Sequence, residues 1–234
     1  MTTASLTGTD VRLRDAIIRQ LDWDPEVDDS AVGVAAKDGV VTLTGFIDSY
    51  AGKLAAERAV KRIRGVRAVA NDVVVRLKVD RTDPDIATDA ARALKLRPGI
   101  PESVQAVVHT GHVTLTGKVE WLVQKAHAEE AVRHILGMRG VLNHIEVSPK
   151  TTHRDVCRRI VQALHRNADV NAQHIYVAVG DDNVVILTGT VGSWSQRDAA
   201  ERAAGSAPGI RNVDNRIIIQ PSEPYELEPP DEIC

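Results

Sequence analysis

One arginine recurs three times in this 234-residue chain, and its side chain is suited to binding an anion. Arg67, Arg139 and Arg211 lie at equal intervals, each two positions after a glycine. A guanidinium presents its N–H donors in a planar fork that matches a phosphate or a carboxylate. The three arginines are therefore candidate contacts for a lipid head group or another anion. The alternative is that they are ordinary exposed arginines beside a strand.

Three of the few aromatic residues occupy related places. Tyr50, Trp121 and Trp194 each follow a predicted strand, at the point where a predicted helix begins. Rings of this kind prefer a boundary that is apolar on one side and wet on the other. We interpret them as lids over the junction of helix and sheet. The alternative is contact with a membrane surface or with another protein.

The histidines carry no pattern that is typical of catalysis. All eight lie within residues 109–174, but neither His109 with His112 nor His127 with His134 has a nearby Cys or carboxylate motif of the zinc-binding kind. The chain contains no H-E-x-x-H, no G-x-S-x-G and no dinucleotide fingerprint. We therefore predict that the protein is not an enzyme and that it has no catalytic residues, no cofactor and no metal site.

These residues belong to a unit that occurs three times. The sequence VTLTG at Val41–Gly45 returns at Val113–Gly117, and returns as VILTG at Val185–Gly189. Self-similarity at a fixed long period indicates a repeat architecture. Glycine or asparagine recurs at the same places in each copy, which we interpret as structural positions: Gly39, Gly45, Gly65 and Asn71; Gly111, Gly117, Gly137 and Asn143; Asn183, Gly189, Gly209 and Asn215.

Hydrophobic periodicity gives the elements of each copy. In the first copy a helix over Leu13–Leu21 precedes a strand from Val32, a turn at Gly39, the VTLTG strand, a helix over 51–63 and a strand over Val69–Leu77. We expect the glycine that closes VTLTG to have a positive φ or to contact the following helix closely. The fold class is therefore α+β, with three tandem αββαβ units, each with two helices on a three-stranded mixed sheet. The other copies repeat the pattern, with helices at Ile86–Leu94, 123–135, Val156–Leu164 and 195–207 and last strands at Val141–Val147 and Val213–Ile219.

We place the repeats at 9–78, 82–148 and 152–220, followed by an acidic, proline-rich tail at 221–234. The tail composition is typical of an extended or disordered segment, with an acidic docking strand as the alternative. The formal net charge of −3 and the few aromatic residues give no case for nucleic-acid binding. No signal peptide is visible and no stretch is apolar enough to span a membrane, so we expect a cytoplasmic protein, or a periplasmic one if a leader is missing.

The order of motifs resembles the BON domain. The residues that carry the resemblance are Val32–Val34, Asp38–Gly45 and Gly65–Asn71, and the pattern returns in all three copies. The resemblance implies an αββαβ fold and non-catalytic binding. Its relatives are associated with osmotic stress, phospholipid contact, secretins and mechanosensitive channels. It makes anionic phospholipid or an envelope protein the expected partner. The alternative is a protein-binding or chaperone-like module that acts through its sheet edges.

Overall fold

The computed structural model describes residues 8–27, 31–77, 81–148, 156–166, 174–180 and 183–220. The predicted acidic tail at 221–234 lies outside the described residues. The first copy contains α1 (Gly8–Trp23), β1 (Val32–Lys37), β2 (Val40–Ile47), α2 (Tyr50–Lys61), β3 (Ala68–Asn71) and β4 (Val74–Val75). The second contains α3 (Asp83–Leu96), β5 (Gln105–His109), β6 (His112–Thr116), β7 (Lys118–Val119), α4 (Leu122–Val132), β8 (Gly140–Asn143) and β9 (Glu146–Val147). The third contains α5 (Val156–Arg166), β10 (Ile175–Val179), β11 (Val184–Val191), α6 (Trp194–Gly205), β12 (Asn212–Asn215) and β13 (Ile218–Ile219).

Each copy has antiparallel and parallel strand pairs, which confirms the α+β class with mixed sheets. In the first copy β1 and β2 form an antiparallel hairpin, with Ala36 opposite Val41. On the other side of β2, the strands β3 and β4 run parallel to it. A parallel pair needs a crossover connection, and α2 supplies it. The second and third copies repeat the hairpin and the parallel pairs.

The last strand of each copy was predicted as continuous, and this is wrong, because an asparagine side chain interrupts it. Asn71 ends β3, and its Oδ1 accepts a hydrogen bond from the backbone N–H of Val73 at 3.4 Å. Asparagine favours such local bonds, which take a backbone group out of the ladder. Asn143 and Asn215 make the same bond to the second residue after them, at 3.3 and 3.2 Å.

The glycine at the end of each VTLTG motif has a positive φ, as expected. The φ angles are 106° at Gly45, 129° at Gly117 and 123° at Gly189. The close backbone contact is with a residue one or two positions before the first strand, not with the following helix. A Cβ atom at Gly45 would overlap the carbonyl oxygen of Ala31, and the other two glycines have the same relation to Ser103 and His174. Only glycine fits this crossing of the two strands.

Each copy has a hydrophobic core of its own between its helices and one face of its sheet. In the first copy Val41 and Leu43 of β2 are fully buried beneath Ile17 of α1 and the alanines Ala56 and Ala59 of α2. The small alanine side chains let α2 lie close to the sheet. The corresponding clusters of the second and third copies are separate from it.

Side chains at the start of the second helices join the three copies in a closed cycle. Tyr50 of the first copy packs against the core of the second copy. Leu122 of the second copy packs against the core of the third. Trp194 of the third copy packs against the core of the first. Each of the three residues begins a second helix, so the cycle uses the same position of the repeat three times.

Candidate functional site

The recurring arginines lie beside the hairpin turns. The Arg67 backbone N–H donates a hydrogen bond to the Gly39 carbonyl at 2.7 Å, and the Arg139 N–H donates to Gly111 at 2.8 Å. The Arg67 side chain passes over the turn, so a Cβ atom at Gly39 would lie 2.8 Å from its Cδ. The Arg211 N–H donates at 3.0 Å to the carbonyl of the third turn's residue, Asn183. The sheet therefore holds each arginine at the same place, next to the first residue of β2 or its equivalent.

All three arginine side chains are exposed. Within the described part of the chain, none of them lies within 4.0 Å of a carboxylate as an ion pair. An exposed arginine without a close acidic partner keeps its N–H donors available for an anion from solution. This property, more than their recurrence, makes Arg67, Arg139 and Arg211 candidate anion contacts.

A carboxylate from the first helix ties down the neighbouring turn. Asp83 at the start of α3 accepts hydrogen bonds from the backbone N–H groups of Gly111 at 2.9 Å and Thr110 at 2.7 Å. These bonds, the first of them most strongly, hold the pKa of Asp83 below its ordinary value, and the charge of Arg139 adds to the effect. In the first copy Asp10 accepts in the same way from the Asp38 N–H at 2.8 Å. In the first and second copies the turn beside the arginine is therefore anchored to the first helix.

Tyr50 is half-buried at the contact between the first and second copies. The backbone of Val141 lies close to its hydroxyl and acts to lower its pKa, but other effects outweigh this. Burial raises the pKa of the Tyr50 phenol, and the negative charge of Glu129, with a smaller effect of Glu57, raises it further. The ring thus fills the space between two helices and places its hydroxyl near two carboxylates.

Trp194 makes the equivalent contact between the third and first copies. The ammonium of Lys61 lies 5.4 Å from the centroid of its ring, and the guanidinium of Arg197 lies 5.3 Å from it. Cations at this range are attracted to the face of an indole. The Trp194 Nε1–H is buried and has no hydrogen-bond partner among the described residues. Burial raises the pKa of the neighbouring Asp198. The positive charge of Lys61 acts in the opposite direction but is the weaker effect.

Trp121 is not equivalent to the other two rings. It lies one residue before α4, at the position that Ser49 and Ser193 occupy as helix caps in the other copies. The Gln124 side chain replaces the serine in part, since its Oε1 accepts a hydrogen bond from the Trp121 N–H at 3.0 Å. The Trp121 side chain is 42% exposed. It is the ring of the candidate set that is most available to a partner.

The candidate contacts therefore do not form one cluster within a repeat. Arg67 lies at the hairpin end of β2, whereas Tyr50 follows the opposite end of that strand. The seven steps from Val40 to Ile47 span about 23 Å at the usual rise per residue. A lipid-contact role for each of these residues stays a prediction.

A recurring pair of residues, which sequence reasoning left unconnected, fixes the second helix to the last strand. Asn71 donates from Nδ2 to the carbonyl of Lys53 and to the carboxylate of Glu57, both at 3.2 Å. Burial raises the pKa of Glu57, but hydrogen bonds from Lys61 and Asn71 outweigh it, so the net shift is downward. The signal was present in the sequence, because the asparagine and glutamate recur together in all copies. The same pairs form at Asn143 with Glu129 and at Asn215 with Glu201, at 3.1 and 2.9 Å.

No metal-binding cluster is found within the described residues: no three of their His, Cys, Asp and Glu side chains lie close enough to hold an ion. None of the helices described here is both long and apolar enough to cross a membrane.

The arrangement of strands and turns agrees with a comparison to known families. The BON domain pattern matches residues 9–76, 82–149 and 153–221. The chain belongs to the BON domain family. A curated relative is the osmotically-inducible protein Y of Escherichia coli strain K12, which is 34% identical over 119 residues. That match covers 45% of this chain and 56% of the relative, so it spans little more than half of the relative's length. A triple-BON chain similar to this relative was expected from the sequence, and this is confirmed.

Two solved structures are similar at low identity. Both are of CdsD, a structural protein of the type III secretion system of Chlamydia trachomatis, and one of them is its C-terminal domain. The first is 17% identical with a TM-score of 0.25, and it covers 91% of this chain and 94% of the other. The C-terminal domain is 16% identical with a TM-score of 0.24, covering 90% and 98%.

Proposed function

We propose that this protein is a non-catalytic binding protein that associates with anionic phospholipid at cell-envelope surfaces during stress. Membership of the BON family supports a non-catalytic binding role. The name of the curated relative, an osmotically inducible protein, supports the link to stress. Each repeat acts as one αββαβ unit, and the three units act together.

The observation that carries the proposal is the exposed arginine beside each hairpin turn. Arg67, Arg139 and Arg211 lie clear of close ion pairs with described residues, and each presents its guanidinium to solvent. One arginine near an anionic membrane contributes about 1 kcal/mol. Three on one chain bind with an avidity that none reaches alone. The cycle of contacts through Tyr50 and Trp194 supports this, because it fixes the relative positions of the three arginines.

The aromatic residues take different parts in the proposal. Tyr50 and Trp194 lie between repeats, so they hold the arginines in place rather than enter the lipid. Trp121 is exposed and is the ring that we assign to the membrane surface. The formal net charge of −3 opposes anionic membranes as a whole, so binding is weak and sensitive to salt.

Vesicle co-sedimentation tests the proposal. We expect the wild-type protein to pellet with vesicles rich in phosphatidylglycerol or cardiolipin at low salt, and not with vesicles of phosphatidylcholine alone. Replacing Arg67, Arg139 and Arg211 by Glu should abolish pelleting, because attraction becomes repulsion.

The matched control replaces three other exposed arginines by Glu, one from the first helix of each repeat: Arg19, Arg92 and Arg159. Both triple variants change the net charge by the same amount but at different positions, and in the control Arg92 also loses its exposed ion pair with Asp89 at 3.8 Å. Equal loss of pelleting in the two variants would show that net charge alone acts, and it would reject the assigned site.

The second candidate function is protein binding through sheet edges. It is favoured by one observation: β1, β5 and β10 each lie at the end of their sheet's strand order, with one hydrogen-bonded neighbour. Such an edge can accept a strand from another chain. A chaperone-like role predicts that the protein suppresses the aggregation of a thermally unfolded model enzyme. Unchanged aggregation of the model enzyme, together with salt-sensitive vesicle binding, would reject the chaperone-like role and support the lipid proposal. The compartment expected from the sequence stays a prediction, and neither assay depends on it.

A further inference from the structure

We infer that the space between the second and third repeats is a binding site for one small, neutral aromatic molecule that carries an O–H or N–H donor. This goes beyond the proposed function, because none of the three arginines lines the site and it would take a different class of ligand. Three observations lead to it: the equivalence of the three contacts between repeats, a cavity at one of them, and the carboxylates around that cavity.

The three contacts between repeats use the same position but different side chains. The first residue of the second helix is Tyr50 in the first copy and Trp194 in the third, and each puts a ring against the core of the next repeat. In the second copy the same position is Leu122, which is smaller and has no ring. The chain therefore fills two of its contacts with aromatic rings of its own and leaves the third without one.

A cavity of about 270 Å³ lies at this third contact. Its apolar walls include Leu122, Val123 and Ala126 from α4, with Gly205 and Val213 from the third repeat. Gly205 is the third-repeat counterpart of Lys61, which lies against the Trp194 ring in the first repeat. Because glycine has no side chain, the wall of the cavity lacks one at this position. Pockets for drug-sized ligands measure roughly 300–1,000 Å³. This cavity is therefore suited to a ligand of one ring or two fused rings.

The polar walls define where the ligand's donor would point. Glu129 and Glu201 both line the cavity. At the first contact, Glu57 and Glu129 occupy the equivalent positions around Tyr50. The charges of both of these carboxylates raise the pKa of the Tyr50 hydroxyl. Each of these two cavity carboxylates accepts from an asparagine through Oε2, and no described residue hydrogen-bonds its Oε1. A phenol O–H or an indole N–H would find an acceptor there.

The charges around the cavity balance. Lys125 and Arg202 line it together with the two glutamates. The lining therefore gives no net charge that would favour an aromatic acid or an aromatic amine, whereas a neutral ring with a single donor meets an acceptor and apolar surface. We propose a neutral phenol or indole as the ligand on this ground.

Indole and 4-ethylphenol are the probes, titrated into the intact protein and followed by ¹⁵N–¹H NMR. We expect millimolar concentrations of either probe to shift the backbone amide signals of Leu122, Val123, Gly205 and Val213, with saturation at one site. Toluene has no donor and should bind about tenfold more weakly. Absence of shifts at these amides, or shifts elsewhere only, would overturn the inference without any variant.

Two variants sharpen the test. Leu122→Trp supplies the missing ring from the chain itself, so indole affinity should fall by at least about tenfold while the thermal midpoint rises. Trp194→Leu combined with Lys61→Gly reproduces both features at the third-to-first contact and should create a second indole site of similar affinity. An unchanged affinity in folded Leu122→Trp would overturn the assignment, as would a stoichiometry of one in the folded double variant with no new shifts near residue 61.

Discussion

Replacing Trp194 by Ala should destabilise the first repeat as well as the third. The Trp194 ring lies against the first repeat's core, next to Lys61. Truncation removes apolar contacts from that core and leaves a cavity at its edge. If the three repeats folded independently of one another, a substitution in the third repeat would leave the stability of the first unchanged.

The magnitude follows from the burial of the ring. Truncating a fully buried Trp to Ala costs about 3–5 kcal/mol. Trp194 is only partly buried, so about 2 kcal/mol of that is expected, to which the loss of the nearby cations adds about 0.5–1 kcal/mol. For a chain of this size each kcal/mol lowers the thermal midpoint by about 2–4 °C. The variant should therefore melt roughly 5–12 °C below the wild-type protein.

The assay combines thermal unfolding followed by circular dichroism with amide hydrogen exchange. Trp121→Ala is the control, because it deletes the same indole from a site that is 42% exposed and lies outside the contact. We expect faster exchange at the backbone amides of Val41 and Leu43 in Trp194→Ala only. Equal midpoints for the two variants, or unchanged exchange in the first repeat, would refute the closed cycle of repeats.

Two further predictions concern single positions. Gly189→Ala should lower the free energy of unfolding by about 3 kcal/mol or more, because the residue has a φ of 123° and its new Cβ would overlap the His174 carbonyl oxygen. The control is Gly192→Ala, where φ is not positive, and it should leave the free energy of unfolding nearly unchanged in the same chemical-denaturation experiment. Asp198→Asn should raise the thermal midpoint at pH 7. Burial raises the pKa of Asp198 above its ordinary 3.8, so the stability of its neutral form is fully present below about pH 3.8 and is lost as pH rises through the folded pKa. The difference between variant and wild type should therefore vanish near pH 3, and a difference that is constant with pH would contradict this reading.

The repeat made much of the fold predictable. The recurrence of VTLTG and its flanking periodicity predicted the order of elements and the mixed sheets. Two details escaped because they depend on single side chains. Apolar alternation continues through Val69–Leu77, so nothing in it indicated that the Asn71 side chain would take the N–H of Val73 and break the strand. The crossing at Gly45 required the position of Ala31, which no local pattern gives.

The candidate site was less predictable, because the sequence pattern of a single repeat does not indicate which residues of another repeat it will contact. Tyr50, Trp121 and Trp194 were grouped as aromatic residues near helix starts. A strict shift by the repeat length pairs Tyr50 and Trp194 with Leu122 instead, and that alignment was available from the sequence. The sequence did not indicate which repeat's core each ring would contact. The packing of Trp194 against the core of the first repeat depends on how the three repeats are arranged in space. The exposure of the arginines likewise depends on how the side chains around each turn pack.

The central claim is that three equivalent arginines bind an anionic surface together. Its most direct test is the partition coefficient onto phosphatidylglycerol vesicles at low salt, measured for Arg67→Gln, Arg139→Gln, Arg211→Gln and the triple variant. A contribution of about 1 kcal/mol per arginine predicts a roughly fivefold fall for each single variant, whichever arginine is changed, and a fall of about a hundredfold for the triple variant. A single arginine that accounts for the whole loss, or a triple variant that partitions like wild type, would contradict the account.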